Sequence, residues 1–200
     1  MIKVSTEDND QSLAEDLVFK PNGLTLLKVP RDAGFSPDFQ VILNEKQVAF
    51  CEMKSPRDDW LELQLAAASP GTIVGGLRDD PIFNRVRRHT IKAAKQFNAV
   101  NPTRTMPNIL IFVNHDDAAG FGDVRETFTG IFHAKDGSCH STMPHIASSL
   151  DQAKEQIDLC VWIDGKVRRV EGYLFNQAAI PDHLDTLCTL FGKNPVDIKQ

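Results

Sequence analysis

The chain has 200 residues, of which 42% are hydrophobic and 24% charged, and its formal charge is −5 at pH 7. That length suits one domain with a buried core, and the net acidity excludes a general nucleic-acid coating protein while leaving room for a local basic groove. No apolar run approaches the ~20 residues needed to span a bilayer, so no membrane partner is expected.

Residues 1–10 are polar and read as loose. The opening Met1-Ile2-Lys3-Val4-Ser5-Thr6-Glu7-Asp8 lacks a basic start followed by an apolar stretch, so it does not read as a secretory signal. Residues 11–20 read as a helix with Leu13, Leu17 and Val18 inward, stopped by Pro21-Asn22-Gly23. A strand over 24–30 leads through Arg31-Asp32-Ala33-Gly34-Phe35-Ser36-Pro37 into a hairpin. Its arms, 39–43 and 47–53, are rich in β-branched and aromatic residues, and Asn44-Glu45-Lys46 has the length of a common hairpin loop.

Ser55-Pro56-Arg57-Asp58-Asp59 closes the second arm; a helix over 60–68 and a Gly-containing loop over 69–79 then form either a flap over a site or padding. Asp79-Asp80-Pro81 opens a helix that runs to about 98, with Ile82, Val86, Ala93 and Phe97 on an inward stripe. Arg85, Arg88, Lys92 and Lys95 follow one another at spacings of three and four, and no acidic residue occurs between Pro81 and His115. This face either contacts phosphates or is simply solvated. Gln96 sits near the inward edge, aimed at a site or held by a structural hydrogen bond.

Asn108 to Asn114 is an apolar strand for the interior of a helix-covered sheet, and His115-Asp116-Asp117 reads as the loop after it. Residues 124–133 and 159–163 read as strands, and Asp164-Gly165 as a hairpin turn into 167–175. Residues 147–157 and 181–191 read as helices, the latter opened by Pro181. Cys51, Cys139, Cys160 and Cys188 are scattered, which predicts reduced thiols in a cytoplasmic protein. His133, Cys139, His140 and His145 are spaced too loosely for a zinc site. No Gly-rich phosphate loop, nucleophile elbow or internal repeat is present.

The hairpin carries the chemistry. With a three-residue loop, Leu43 pairs with Gln47 and Asp38 lies opposite Glu52. Opposed side chains share a face, with Cβ atoms roughly 4.5–5.5 Å apart. Lys54, two residues beyond Glu52, points the same way. Opposed like charges are destabilising, and a divalent cation with oxygen ligands resolves the conflict. Mg²⁺ needs only one or two carboxylates and binds phosphate oxygens with the rest of its shell. The alternative is a solvated hairpin face, which the apolar residues on both sides of Glu52 argue against.

Pro37-Asp38, a spacer of 13 residues and Glu52-Met53-Lys54 resemble the signature of the PD-(D/E)XK, or restriction endonuclease-like, nuclease superfamily. The resemblance implies an α/β fold whose core runs helix, three-stranded meander, helix and strand, a mixed sheet flanked by helices. That order fits residues 11–114, with 115–200 as additional C-terminal strands and helices of the same domain. It further implies a Mg²⁺- or Mn²⁺-dependent nuclease acting on DNA before RNA. Asp38 and Glu52 would be the ligands, aided by the Met53 carbonyl. Lys54 would assist the attacking water, and Glu15 on the first helix would be an outer or second-metal ligand. Arg85, Arg88, Lys92, Lys95 and Gln96 are the nucleic-acid-binding candidates, and a homodimer or larger complex is compatible with the family. A catalytically inactive binding or regulatory module on the same scaffold is the alternative. Members without activity generally lose one of the acidic or lysine positions, all of which are present here.

Overall fold

Runs of β-branched and aromatic residues become the strands of a mixed six-stranded sheet with helices on both faces. The computed structural model describes residues 6–30, 35–56, 60–75, 82–117, 119–176 and 180–193, without the side chains of 6 and 60–62. Helix α1 (Thr6–Ala14) continues through a π-helical turn (Glu15–Phe19) and a 3-10 turn (Lys20–Asn22) ended by Gly23. An antiparallel meander of β1 (Thr25–Lys28), β2 (Phe39–Leu43) and β3 (Lys46–Lys54) follows. Then come α2 (Trp60–Ala67), α3 (Ile82–Val100) and β4 (Asn108–Asn114). The remainder is α4 (Phe121–Thr129), β5 (Ile131–His133), β6 (Cys139–Ser141), α5 (Pro144–Ser148), α6 (Asp151–Lys154), β7 (Leu159–Asp164), β8 (Arg169–Phe175) and α7 (Pro181–Leu190).

The sheet order is β1-β2-β3-β4-β7-β8, with β5 and β6 forming a separate ribbon. β4 lies parallel to both β3 and β7, while β8 returns antiparallel. Central β4 is buried at every position, as its unbroken apolar run requires. Ile109, Ile111 and Val113 pack under Leu13, Val18 and Phe19 at the first helix and Leu187 on α7. Leu110 and Phe112 face the other way, onto Val86, Ala93 and Phe97 of α3 and Val124 and Phe128 of α4. Among the described residues no helix is long and apolar enough to cross a membrane.

A polar knot closes the end where β4 and β7 begin. Buried Asp158 receives Arg104, accepts the Asn108 N–H at 2.8 Å and lies 3.2 Å from His183 Nδ1. The opposite end, where β3, β4 and β7 finish, carries the cleft described below.

Three expectations are corrected. Of residues 124–133, expected as one strand, only 131–133 are extended, as β5, and 124–129 are helical. Val124 and Phe128 are one helical turn apart on α4, Asp123 accepts the Gly120 N–H at 2.8 Å, and Gly130 ends the helix at φ 72. Residues 147–157 divide into α5 and α6 on either side of Ser149-Leu150. The first helix starts at Thr6, not 11: within its otherwise exposed polar turn Asp10 is buried by tertiary hydrogen bonds, which hydrophobic periodicity does not register. The features expected at 31–34, at Arg57-Asp58-Asp59 and at Asp79-Asp80-Pro81 lie outside the described residues.

Candidate functional site

β2 and β3 are joined by two residues, not three. Asn44 and Glu45 take φ values of 49° and 64°, the positive pair of a type I′ turn, and Leu43 pairs with Lys46. The ladder then slips at a bulge: Ile42 pairs with Gln47 but Val41 with Ala49, leaving Val48 as the extra residue on β3. Beyond it Phe39 pairs with Cys51, and the next step outward brings Asp38 to Glu52. The turn and the bulge offset each other, so the two carboxylates meet by a route different from the expected one.

Backbone amides link the two residues. The Asp38 N–H donates to Glu52 Oε2 at 2.9 Å, and the Met53 N–H donates to Asp38 Oδ2 at 3.0 Å. Lys54 Nζ donates to Glu52 Oε1 and, at 3.1 Å, to Gln96 Oε1 on α3. Gln96 Nε2 in turn donates to the Ser36 carbonyl at 2.8 Å. One glutamine therefore spans from the loop before Asp38 to the lysine after Glu52. Its position on α3 follows from Ala93 and Phe97, whose burial against the sheet turns Gln96 toward the strand ends. Glu52 is only 1% exposed. Burial pushes its carboxyl up to about 7, helped by the Asp38 charge and opposed by the Lys54 ammonium and the Asp38 N–H.

These groups line a cleft of about 480 Å³ with Glu7, Asp10, Gln11, Phe35, Ser36, Ser55 and Lys92. Glu15 is not among the lining residues. It accepts a hydrogen bond from Gln11 at 2.8 Å and lies 3.8 Å from Lys20 Nζ. The acids that α1 brings to the cleft are Asp10 and Glu7, about one and two turns earlier, because the helix begins sooner than expected. Asp10 is buried; Ser55 Oγ donates to one of its oxygens and His115 Nε2 lies 2.8 Å from the other. It thereby ties α1 to the ends of both β3 and β4.

The basic helix also needs correction. Arg88, Lys92 and Lys95 are exposed, and Lys92 reaches the cleft. Arg85 is 3% exposed and sits 3.3 Å from Asp116 Oδ2, so it is no surface phosphate contact. A buried guanidinium is tolerated where a buried carboxylate answers it, and the loop after β4 supplies one. Sequence reasoning passed over His89, which shares the inward side of α3 with Arg85 and Gln96 at helical spacing. Burial first, then the charges of Lys54, Arg88, Lys92 and Arg85, hold its imidazole down at about 4. It also missed the Ser55–Asp10–His115 chain, whose members are far apart in sequence. His133 and Cys139, expected to be unsuited to zinc, face each other on the exposed β5–β6 ribbon with Nδ1 and Sγ 3.4 Å apart.

Two stability predictions arise here. Between about 4.5 and about 7 the folded chain keeps the Glu52 proton that the unfolded chain releases, so this group's contribution falls as pH rises. His89 acts oppositely. Between about 4 and 6.5 the unfolded chain binds a proton that the folded chain refuses, so stability is lost as pH falls. Metal-free urea melts should show Glu52→Gln gaining on wild type as pH rises, and His89→Asn gaining as pH falls below 6.5. Parallel curves for either variant would contradict the assigned environment. A second expectation concerns Gly165, whose added Cβ would sit 2.6 Å from His115 Cε1 and 3.0 Å from the Asn114 carbonyl. Gly165→Ala should displace His115 from Asp10 and cost about 1–3 kcal/mol, read by denaturant unfolding.

Two carboxylates with hard oxygen donors, one of them buried and reluctant to ionise, suit a Mg²⁺- or Mn²⁺-type ion that completes its shell with water and substrate oxygens. Among the described residues no group of three or more His, Cys, Asp or Glu side chains is placed to hold a metal. Compared with known proteins, the chain matches no family model, no curated protein and no solved structure.

Proposed function

We propose that this chain is a divalent-metal-dependent nuclease of the PD-(D/E)XK type, hydrolysing phosphodiester bonds of DNA in preference to RNA. The observation that carries the reading is the meeting of Asp38, Glu52 and Lys54 on one face of β2–β3 at the wall of a cleft. Asp38 and Glu52 would hold the ion, with the Met53 carbonyl as a further candidate ligand. When bound, Mg²⁺ or Mn²⁺ supplies Lewis acidity to a phosphoryl oxygen and to the attacking water.

The chain's own groups do the rest. Lys54, pinned between Glu52 and Gln96, presents its ammonium beside the carboxylates, where it orients the water and stabilises charge on the phosphoryl group. Gln96 limits the wandering of that ammonium and fixes the Ser36 segment against α3. Lys92, exposed at the cleft, is positioned to meet a phosphate of the bound strand. Arg88 and Lys95 extend the positive face along the same helix.

One observation favours the inactive alternative: Glu52 already accepts from both Lys54 and the Asp38 N–H, a circuit that could serve structure alone. Calorimetric titration with Mn²⁺, followed by incubation with supercoiled plasmid and with single-stranded DNA, separates the two. The nuclease reading expects binding and metal-dependent cleavage that chelation stops. Silence in the calorimeter and intact DNA at every metal concentration would favour the module.

A further inference from the structure

Among the described residues, those exposed at the cleft are Glu7, Phe35 and Lys92. Phe35 is 65% exposed, an aromatic ring presented to solvent on the wall that holds the carboxylates. A lone exposed apolar side chain is ordinary; the anchoring of this one is not. The carbonyl of the adjacent Ser36 accepts Gln96 Nε2 at 2.8 Å, and the same glutamine receives Lys54 at 3.1 Å. Phe35 is also only three residues before Asp38, at most roughly 10 Å of extended backbone. The ring is thus tethered within about one or two nucleotide lengths of the proposed scissile position, with the Lys92 cation on the same cleft and Glu7 as the repelling charge.

We infer that Phe35 stacks on a nucleobase beside the scissile phosphate, and that the substrate is single-stranded DNA, including the single-stranded tail of a partial duplex. Inside an intact duplex both faces of every base are covered by neighbours. An aromatic side chain can stack only where a base is already unstacked or has been extruded. Stacking on any base also makes the preference one of strandedness, not of sequence. The inference rests on the nuclease reading of the cleft.

The test measures binding in the Asp38→Ala background, so that no substrate is consumed, by fluorescence anisotropy with a short labelled single strand and the blunt duplex of the same sequence. Adding Phe35→Ala should weaken single-strand binding about 5- to 100-fold. Phe35→Trp should restore it, and duplex binding should stay weak throughout. Equal single-strand affinity with and without the ring, or tighter binding to the duplex, would overturn the inference. Mn²⁺ calorimetry and metal-dependent cleavage of the same single strand, both with the wild-type chain, keep the two readings apart. Metal binding and cleavage with no ring-dependent single-strand affinity would remove only the stacking claim. Ring-dependent single-strand binding with no metal binding would remove the nuclease and leave the ligand class standing.

Discussion

Asp38→Ala is expected to abolish cleavage, by on the order of 10³-fold or more, and to leave the fold intact. The substitution removes one of the two carboxylates facing the proposed metal position, so Mn²⁺ binding by calorimetry should disappear with activity. The structural cost is small and local. The Met53 N–H loses the acceptor it holds at 3.0 Å, at a half-exposed position that water can reach. That loss is worth about 1 kcal/mol. The Asp38 charge is one of the factors that raise the Glu52 carboxyl, so its removal relieves part of the strain on that buried group. Thermal melting within a few degrees of wild type, together with lost metal binding, is the expected pair of results. Full activity in this variant would sink the assignment.

Lys54→Met should separate binding from chemistry. The ammonium faces Glu52 and Gln96 and would contribute to the reaction through the water and the phosphoryl charge, so a loss of about 10²- to 10⁴-fold in cleavage is expected. Metal binding should survive once the pH is high enough to ionise Glu52, because both carboxyl groups remain. Without its cation, Glu52 rises above about 7 and takes a proton at neutral pH, which discharges the otherwise costly unpaired carboxylate. The signature is therefore bound Mn²⁺ with little cleavage, and a metal affinity that strengthens as pH is raised. Parallel loss of metal binding and cleavage, as in Asp38→Ala, would mean that Lys54 organises the ligands instead of the reaction.

How far the chain could be read in advance varied with how local the determining interaction is. The apolar run of β4 and the stripe Ile82, Val86, Ala93 and Phe97 were legible, because burial writes itself directly into residue type. So was the encounter of Asp38 with Glu52, although the turn inferred for it was one residue too long. Gly130 was the signal for the end of α4, lost among the β-formers Val124, Thr127, Thr129 and Ile131 that suggested a strand. Arg85 could not be told from its exposed neighbours without knowing that Asp116 would arrive from the end of β4. Asp10 was equally hidden, since the residues that bury it, Ser55 and His115, are 45 and 105 positions away. Side chains whose partners are distant in the chain carry no periodic mark.

The slip at Val48 has a practical corollary. A three-residue loop with a regular ladder and a two-residue loop with one surplus residue deliver the same pairing at Phe39–Cys51. The facing of the carboxylates is therefore compatible with more than one length of hairpin tip, the surplus residue at Val48 taking up the difference. Asn44 and Glu45 thus mark a place where a dye, a tag or a short graft could be attached while the chemistry some distance along the ribbon goes undisturbed.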